Sequence, residues 1–261
     1  MKRIIPILLL EEQLLYKTIN FKDKTYIGDP FVALKIFNEK EVDELMILDI
    51  NQSIDEPDYD FLFDLASEAF MPLSYGGAIK DIKTVEKIFR IGFEKVVINS
   101  ANINDFSLIE EIASRFGNQA VVCCVDYKAN FFGKRICVFN NARKSSNIKI
   151  VDFIEQAIKA GSGEIILQSV NLEGKMEKMD LEFIEEIVNS CSVPVIGTGG
   201  ASSHEYIKEF FQKTNASAIA AGSIFVYHGP HKAVLINYPS YETKTKLTSL
   251  WLEIIKYVVI A

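Results

Sequence analysis

Short apolar runs alternate along this chain with longer segments in which apolar residues recur every three or four positions. The short runs are Arg3–Leu9, Glu44–Asp49, Pro72–Tyr75, Lys95–Ile98, Ala120–Asp126, Glu164–Ser169, Val193–Gly197 and Ala218–Ala221. Several are apolar without alternation, as expected of parallel strands covered on both faces. Between them, Ile82–Ile91 places Ile82, Val85, Ile88 and Phe89 on one helical face. Leu108–Phe116, Ile150–Lys159, Leu181–Val188 and His204–Gln212 follow the same spacing. Eight strands, each followed by a crossover, predict an α/β fold closed into a single (β/α)₈ barrel. An open doubly wound sheet is the alternative. The strand count and the absence of a GxGxxG turn disfavour it.

The pattern also repeats. Tyr75-Gly76-Gly77-Ala78 recurs as Thr198-Gly199-Gly200-Ala201, Asn99-Ser100-Ala101 is answered by Gly222-Ser223-Ile224, and Leu48-Asp49-Ile50 by Gln168-Ser169-Val170. The offsets are 123, 123 and 120 residues. A constant offset near half the chain predicts two four-strand halves, residues 1–118 and 119–250. The apolar stretch 251–261 then reads as either a last barrel helix or a partner contact.

Composition narrows the function classes. The 261 residues are 49% apolar, enough for the core of one barrel. A net charge of −7 argues against a nucleic-acid partner, although a small anion needs only local donors. No run of about 18 apolar residues exists to insert in a membrane. The start, Met1-Lys2-Arg3-Ile4-Ile5-Pro6, reads as a buried strand rather than a signal peptide, since Pro6 breaks the run and Glu11-Glu12 ends it. Cys123, Cys124, Cys137 and Cys191 form no CxxC pair and read as structural thiols of a reducing cytoplasm. No metal or cofactor motif is present.

In a barrel, the residues just past each strand's C-terminal end line the active face. Gly76-Gly77 and Gly199-Gly200 fall there, and Asn99-Ser100 and Gly222-Ser223 follow the next strand in each half. Each half thereby offers one anion nest, and two nests suit a small molecule with a phosphate at each end. The plainer reading is that the glycines only make tight turns. Asp126 closes an apolar strand and is a candidate general acid or base, with a helix cap as its plainer role. Asp49 ends its strand as abruptly and is either a substrate contact or an ion-pair partner. Lys17 follows the first strand and is a candidate phosphate contact.

Charges also mark the opposite ends of the strands. Arg3, Glu44, Lys95 and Glu164 begin or nearly begin four of them. Salt bridges stabilising the barrel bottom are the ordinary explanation. A ring of two bases and two acids would equally form a polar constriction on the barrel axis.

From Lys2-Arg3-Ile4-Ile5-Pro6 to about Phe225, the chain resembles the cyclase subunit of imidazole glycerol phosphate synthase. The motifs are Gly28-Asp29-Pro30, Asp43-Glu44-Leu45, Leu48-Asp49-Ile50, Tyr75-Gly76-Gly77-Ala78-Ile79, Lys95-Val96-Val97-Ile98-Asn99, Gln119-Ala120-Val121-Val122, Gly163-Glu164-Ile165-Ile166 and Gly199-Gly200-Ala201, in that order. The resemblance implies a docked glutaminase subunit whose ammonia enters the barrel bottom through a charged gate and rises to the active face. The gate falls on Arg3, Glu44, Lys95 and Glu164, and one of two catalytic aspartates on Asp126.

The departures from that family are as specific as the matches. The other catalytic aspartate falls on Leu9. The third glycine of the first phosphate loop is Ala78, the Asp-Arg-Asp-Gly stretch reads Asn171-Leu172-Glu173-Gly174, and a Ser-Gly pair reads Ala142-Arg143. These changes, with Phe70-Met71-Pro72-Leu73-Ser74 and the segment from Gly222 to Pro239, resemble a paralogous branch associated with acetamidino modification of bacterial surface sugars. That resemblance implies a barrel passing ammonia to a third, amidotransferase-like protein in surface-polysaccharide biosynthesis. The alternatives are a histidine-pathway cyclase that works despite Leu9 and a non-catalytic phosphate-binding scaffold.

Overall fold

The computed structural model describes residues 2–99, 105–131 and 133–248. Eight parallel strands form the barrel: β1 (Arg3–Glu11), β2 (Leu45–Asp49), β3 (Leu73–Gly76), β4 (Lys95–Asn99), β5 (Val121–Ala129), β6 (Glu164–Ser169), β7 (Val195–Thr198) and β8 (Ala218–Ala221). They pair in sequence order, and β8 returns to β1 with Ile5 opposite Ala220, which closes the sheet. The predicted barrel is therefore present. Helices follow the strands: α1 (Pro30–Glu39), α2 (Tyr59–Ser67), α3 (Ile82–Ile91), α4 (Ser107–Phe116), α5 (Ile150–Lys159), α6 (Leu181–Ser190) and α7 (His204–Lys213). A one-turn α8 (Ser223–Val226) and α9 (Tyr241–Thr248) follow β8. The predicted segment 251–261 lies outside the described residues. No helix of the described residues is long and apolar enough to cross a membrane.

Closure sorts every strand residue by parity. In β1, Ile4, Leu8 and Leu10 pack outward against the helices, while Ile5, Ile7 and Leu9 face the barrel axis. Met46, Val97, Val122, Cys124, Ile166, Ile196, Ala218 and Ala220 complete that inner apolar column. The uninterrupted apolar run of β1 thus serves two cores at once.

Local chemistry fixes the helix starts. Asp29 caps α1, accepting from the Phe31 and Val32 amides at 2.8 and 3.1 Å, with Pro30 at the first helical position. Asp58, Asp81, Asp180 and Ser203 cap α2, α3, α6 and α7 in the same way. After β8 the chain straps back across the barrel, where the Tyr238 hydroxyl donates to the Ile4 carbonyl at 2.8 Å.

Two pieces at the top rim lie outside the predicted elements. β1 runs past Leu9 and turns into an antiparallel hairpin, Leu14–Ile19 and Lys22–Gly28. Its turns at Glu12-Gln13 and Asn20-Phe21 hold all four residues at positive φ without a glycine. The usual hairpin signal is therefore missing from the sequence. β5 likewise continues past Asp126 and pairs with Arg135–Phe139.

Candidate functional site: a charged floor, an apolar column and a two-part mouth

Parity places the floor and the mouth on one inward face. Arg3, Glu44, Lys95 and Glu164 have the same parity as Leu9, Leu48, Asn99 and Gln168 at the tops of their strands. At the floor, Arg3 donates to Glu44 at 2.7 Å and pairs with Glu164, while Lys95 reaches Glu44 at 2.9 Å and Glu164 at 3.0 Å. The four side chains form one closed ring of alternating sign. Burial opposes the Arg3 charge, but the hydrogen bonds and charges of Glu164 and Glu44 outweigh it and hold the guanidinium above its ordinary value. The fully buried Ser74 adds a hydroxyl, donating to the free Glu44 oxygen at 2.6 Å. Sequence reading missed Ser74; its polar character within the run Pro72–Tyr75 was the available signal.

At the other end lies a mouth of about 610 Å³, lined by Leu9, Asp49, Asn99, Cys124, Asp126 and Gln168 among others. Asp126 is buried, at 3% exposure. Its Oδ2 accepts from Asn99 Nδ2 at 2.9 Å, and Cys124 Sγ lies 3.6 Å from Oδ1. Burial pushes its pKa up to about 6, with those two hydrogen bonds opposing the rise. Burial likewise lifts Asp49 to about 6, against the pull of the Asn51 amide, which donates to it at 2.9 Å. Both carboxyls can therefore exchange a proton near neutral pH. Leu9 faces the same cavity and can move none.

The two glycine-rich halves differ. Beside the first, Asn99 Nδ2 gives one hydrogen bond to Asp126, and Ser100 lies outside the described residues. Gly77 sits at φ +133°, where a Cβ would strike Asp49 Cβ and its carbonyl at 2.6 Å. That position needs glycine for packing alone, and Ala78 beside it holds φ +48° with a side chain. In the second half, Gly199, Gly200, Gly222 and Ser223 line a cavity of about 40 Å³ together with Lys17. A Cβ on Gly222 would meet Lys17 Nζ at 2.4 Å, so the ammonium lies directly over the loop. Lys17 is only 6% exposed. Among the described residues no side chain or carbonyl accepts a hydrogen bond from it. Burial lowers its pKa, and the nearby Glu173 charge opposes that shift. A buried cation facing a glycine loop is complementary to a small anion.

Glu173 locks the hairpin over this site. Its carboxylate accepts from the Thr18 hydroxyl and the Phe21 amide, each at 2.9 Å, and its carbonyl accepts from the Asn20 amide at 3.1 Å. The sequence marks Glu173 only as a departure; its partners come from an element the sequence does not announce.

The chain matches the family described as histidine biosynthesis protein over residues 3–232. It is 45% identical over 240 residues to the "Putative imidazole glycerol phosphate synthase subunit hisF2" of Pseudomonas aeruginosa, covering 91% of this chain and 96% of that one. The chain belongs to the histidine biosynthesis protein family. Within that family, a Leptospira borgpetersenii relative described as "Putative imidazole glycerol phosphate synthase subunit HisF" is 44% identical over 248 residues, 94% of this chain and 98% of its own. The imidazole glycerol phosphate synthase subunit HisF of Streptococcus sanguinis is 36% identical over 228 residues, 87% and 90% of the two chains. The resemblance inferred from the motifs is thus correct at the level of the family.

Proposed function

We propose that this barrel receives ammonia from a glutaminase subunit docked at its floor and conducts it along the apolar column to the mouth. The observation that carries the reading is the closed Arg3–Glu44–Lys95–Glu164 ring beneath a column capped by Leu9. A buried ion ring contributes little net stability, because desolvation offsets the attraction, so apolar residues would serve a purely structural floor as well. Its retention beside a lost proton-transfer group favours conduction without cyclisation.

The ammonia then goes to an acceptor other than the cyclase substrate. We assign the chain to a surface-polysaccharide role, acetamidino modification of a sugar, with a third, amidotransferase-like protein. The relatives at 41–45% identity support a paralogous copy, since those from Pseudomonas aeruginosa and Vibrio vulnificus carry the numbered names hisF2 and hisF3. The Gly199, Gly200, Gly222, Ser223 and Lys17 cluster binds a phosphate of a phosphorylated small molecule in this reading, and the Gly76, Gly77, Asn99 and Ser100 half binds one more weakly. Asp126, poised near pH 6, favours one second reading, a histidine-pathway cyclase with a single acid.

The test uses the complex with its glutaminase. Lys95→Met should change glutamine-dependent product formation and leave reaction with added ammonium salts unaltered. If both nitrogen sources respond alike, the ring is a structural floor. Turnover of the cyclase substrate with ammonium salts would select the second reading.

A further inference from the structure

Beside the mouth is a second cavity, of about 420 Å³, built by three top-rim elements. The hairpin contributes Lys22, β5 contributes Lys128, and the turn after Arg135–Phe139 contributes Asn141 and Arg143. Gln52 and Asn171 complete its polar wall. No acid lines it. Among the described residues, no carboxylate pairs with Lys22, Lys128 or Arg143. That is unusual here, because the chain has 35 acids against 28 bases. Lysines nearby on the rim, such as Lys24 with Glu11 and Lys80 with Asp55, do pair. Three cations lining one cavity without a counter-charge make its potential positive, and an anion bound there is attracted to it.

The floor of this cavity is fixed rather than loose. Asn171 Oδ1 accepts from the Ala129 amide at 2.9 Å, and the Val170 amide donates to the Tyr127 carbonyl at 2.9 Å. With its oxygen engaged, the Asn171 amide presents its N–H groups. Phe21, Gln52 and Asn141 line both this cavity and the mouth, so the two spaces are contiguous. Arg143 supplies a planar fork suited to two oxyanion oxygens, and the lysines supply point charges.

We infer that this basic cavity is a separate recognition site for a terminal diphosphate, carried by an ester whose organic part lies in the adjoining mouth. A carboxylate brings one charge and a single phosphate about two at neutral pH, fewer than the three cations. A diphosphate can engage all three. The site needs neither ammonia conduction nor the Lys17 nest, so it stands or falls separately from them.

Calorimetric titration of the full chain tests it, with inorganic pyrophosphate, adenosine diphosphate and inorganic phosphate as probes. Lys128→Ala/Arg143→Ala removes two of the cations and breaks no side-chain hydrogen bond or ion pair among the described residues. Lys17→Met silences the nest without introducing a bulkier side chain. Pyrophosphate should bind the unaltered protein and Lys17→Met alike. It should bind the double variant about tenfold more weakly or worse, since two charge-assisted contacts are lost. Adenosine diphosphate should bind more tightly than pyrophosphate if the mouth holds the organic part. Inorganic phosphate should respond chiefly to Lys17→Met. Failure of the phosphate arm alone would overturn the nest and leave the diphosphate site standing. The inference is overturned if pyrophosphate does not bind, if the double variant binds it as well as the unaltered protein, or if Lys17→Met abolishes its binding. Adenosine diphosphate no tighter than pyrophosphate overturns the ester part.

Discussion

Leu9 stands on the same inward face of β1 as Arg3, about 20 Å further along the strand at 3.3 Å per residue. One strand thus carries a charged floor at its start and an apolar cap at the mouth, with only Ile5 and Ile7 facing inward between them. In the proposed function, a complete floor paired with a Leu9 that can transfer no proton is what separates conduction from cyclisation.

Leu9→Asp follows from that relationship. Leu9 is 8% exposed and packs in the apolar column, so a carboxyl there loses packing and is desolvated. We expect a loss of about 2–4 kcal/mol in chemical denaturation at neutral pH. Cyclase turnover with ammonium salts should be negligible before the substitution and far from restored after it, because Ala78, Arg143 and Glu173 also differ from the family pattern. Restoration by this single change to a rate within the usual enzyme range of about 1–10³ s⁻¹ would contradict the reading.

Asp126→Asn should stabilise the protein at neutral pH. The folded state holds the Asp126 proton more tightly than the unfolded chain, with a pKa near 6 against an ordinary 3.8. Its contribution is fully present below about pH 4 and is lost as pH rises through 6. An asparagine can still accept the Asn99 hydrogen bond and never ionises. The difference in melting temperature between the variant and the original should therefore grow from pH 4 to pH 7, reaching at most about 2–3 kcal/mol of stability. A difference independent of pH would show that Asp126 ionises as freely folded as unfolded.

Lys17→Met should behave in the same sense for the opposite charge. Burial lowers the Lys17 pKa, so the unfolded chain holds this proton more tightly than the folded one. The penalty is greatest at neutral pH and fades as pH rises towards the ordinary lysine value. The variant should melt higher than the original in anion-free buffer at pH 7, and the gap should close as phosphate is added. A lower melting temperature without anion would mean that Lys17 has a stabilising partner.

Ala78→Gly tests whether the first half can regain its anion site. Ala78 occupies φ +48°, a conformation that costs an L-residue about 1–2 kcal/mol. Glycine removes that strain and adds some chain entropy to the unfolded state, so stability should change by no more than about 1 kcal/mol either way. Phosphate titrated onto the variant should show a second, weak binding event. Unchanged stoichiometry would mean that the methyl group is not what limits this half.

Legibility followed physical range. The eight barrel strands were readable because parallel strands covered on both faces leave continuous apolar runs such as Ile4–Leu10, and α3 and α5 were readable because one helical face carries the core. Asp126 and the four floor charges stood out as polar residues at the ends of such runs. The hairpin Leu14–Gly28 was not readable, since its two turns use Glu12-Gln13 and Asn20-Phe21 instead of glycine. With the hairpin hidden, Lys17 is a candidate phosphate contact on its position after the first strand alone, and the Glu173 carboxylate has no visible partner. Sequence alone determined which residues share a face of each strand, because alternation is a property of the chain, and closure of the barrel decided which of the two faces points inward. Only the closed tertiary structure decided which inward residues meet, because the contacts of Arg3 with Glu164 and of Lys17 with Gly222 join positions far apart in the chain. Burial by those distant neighbours, not local sequence, is also what raises Asp126 and Asp49 towards neutral pH and lowers Lys17.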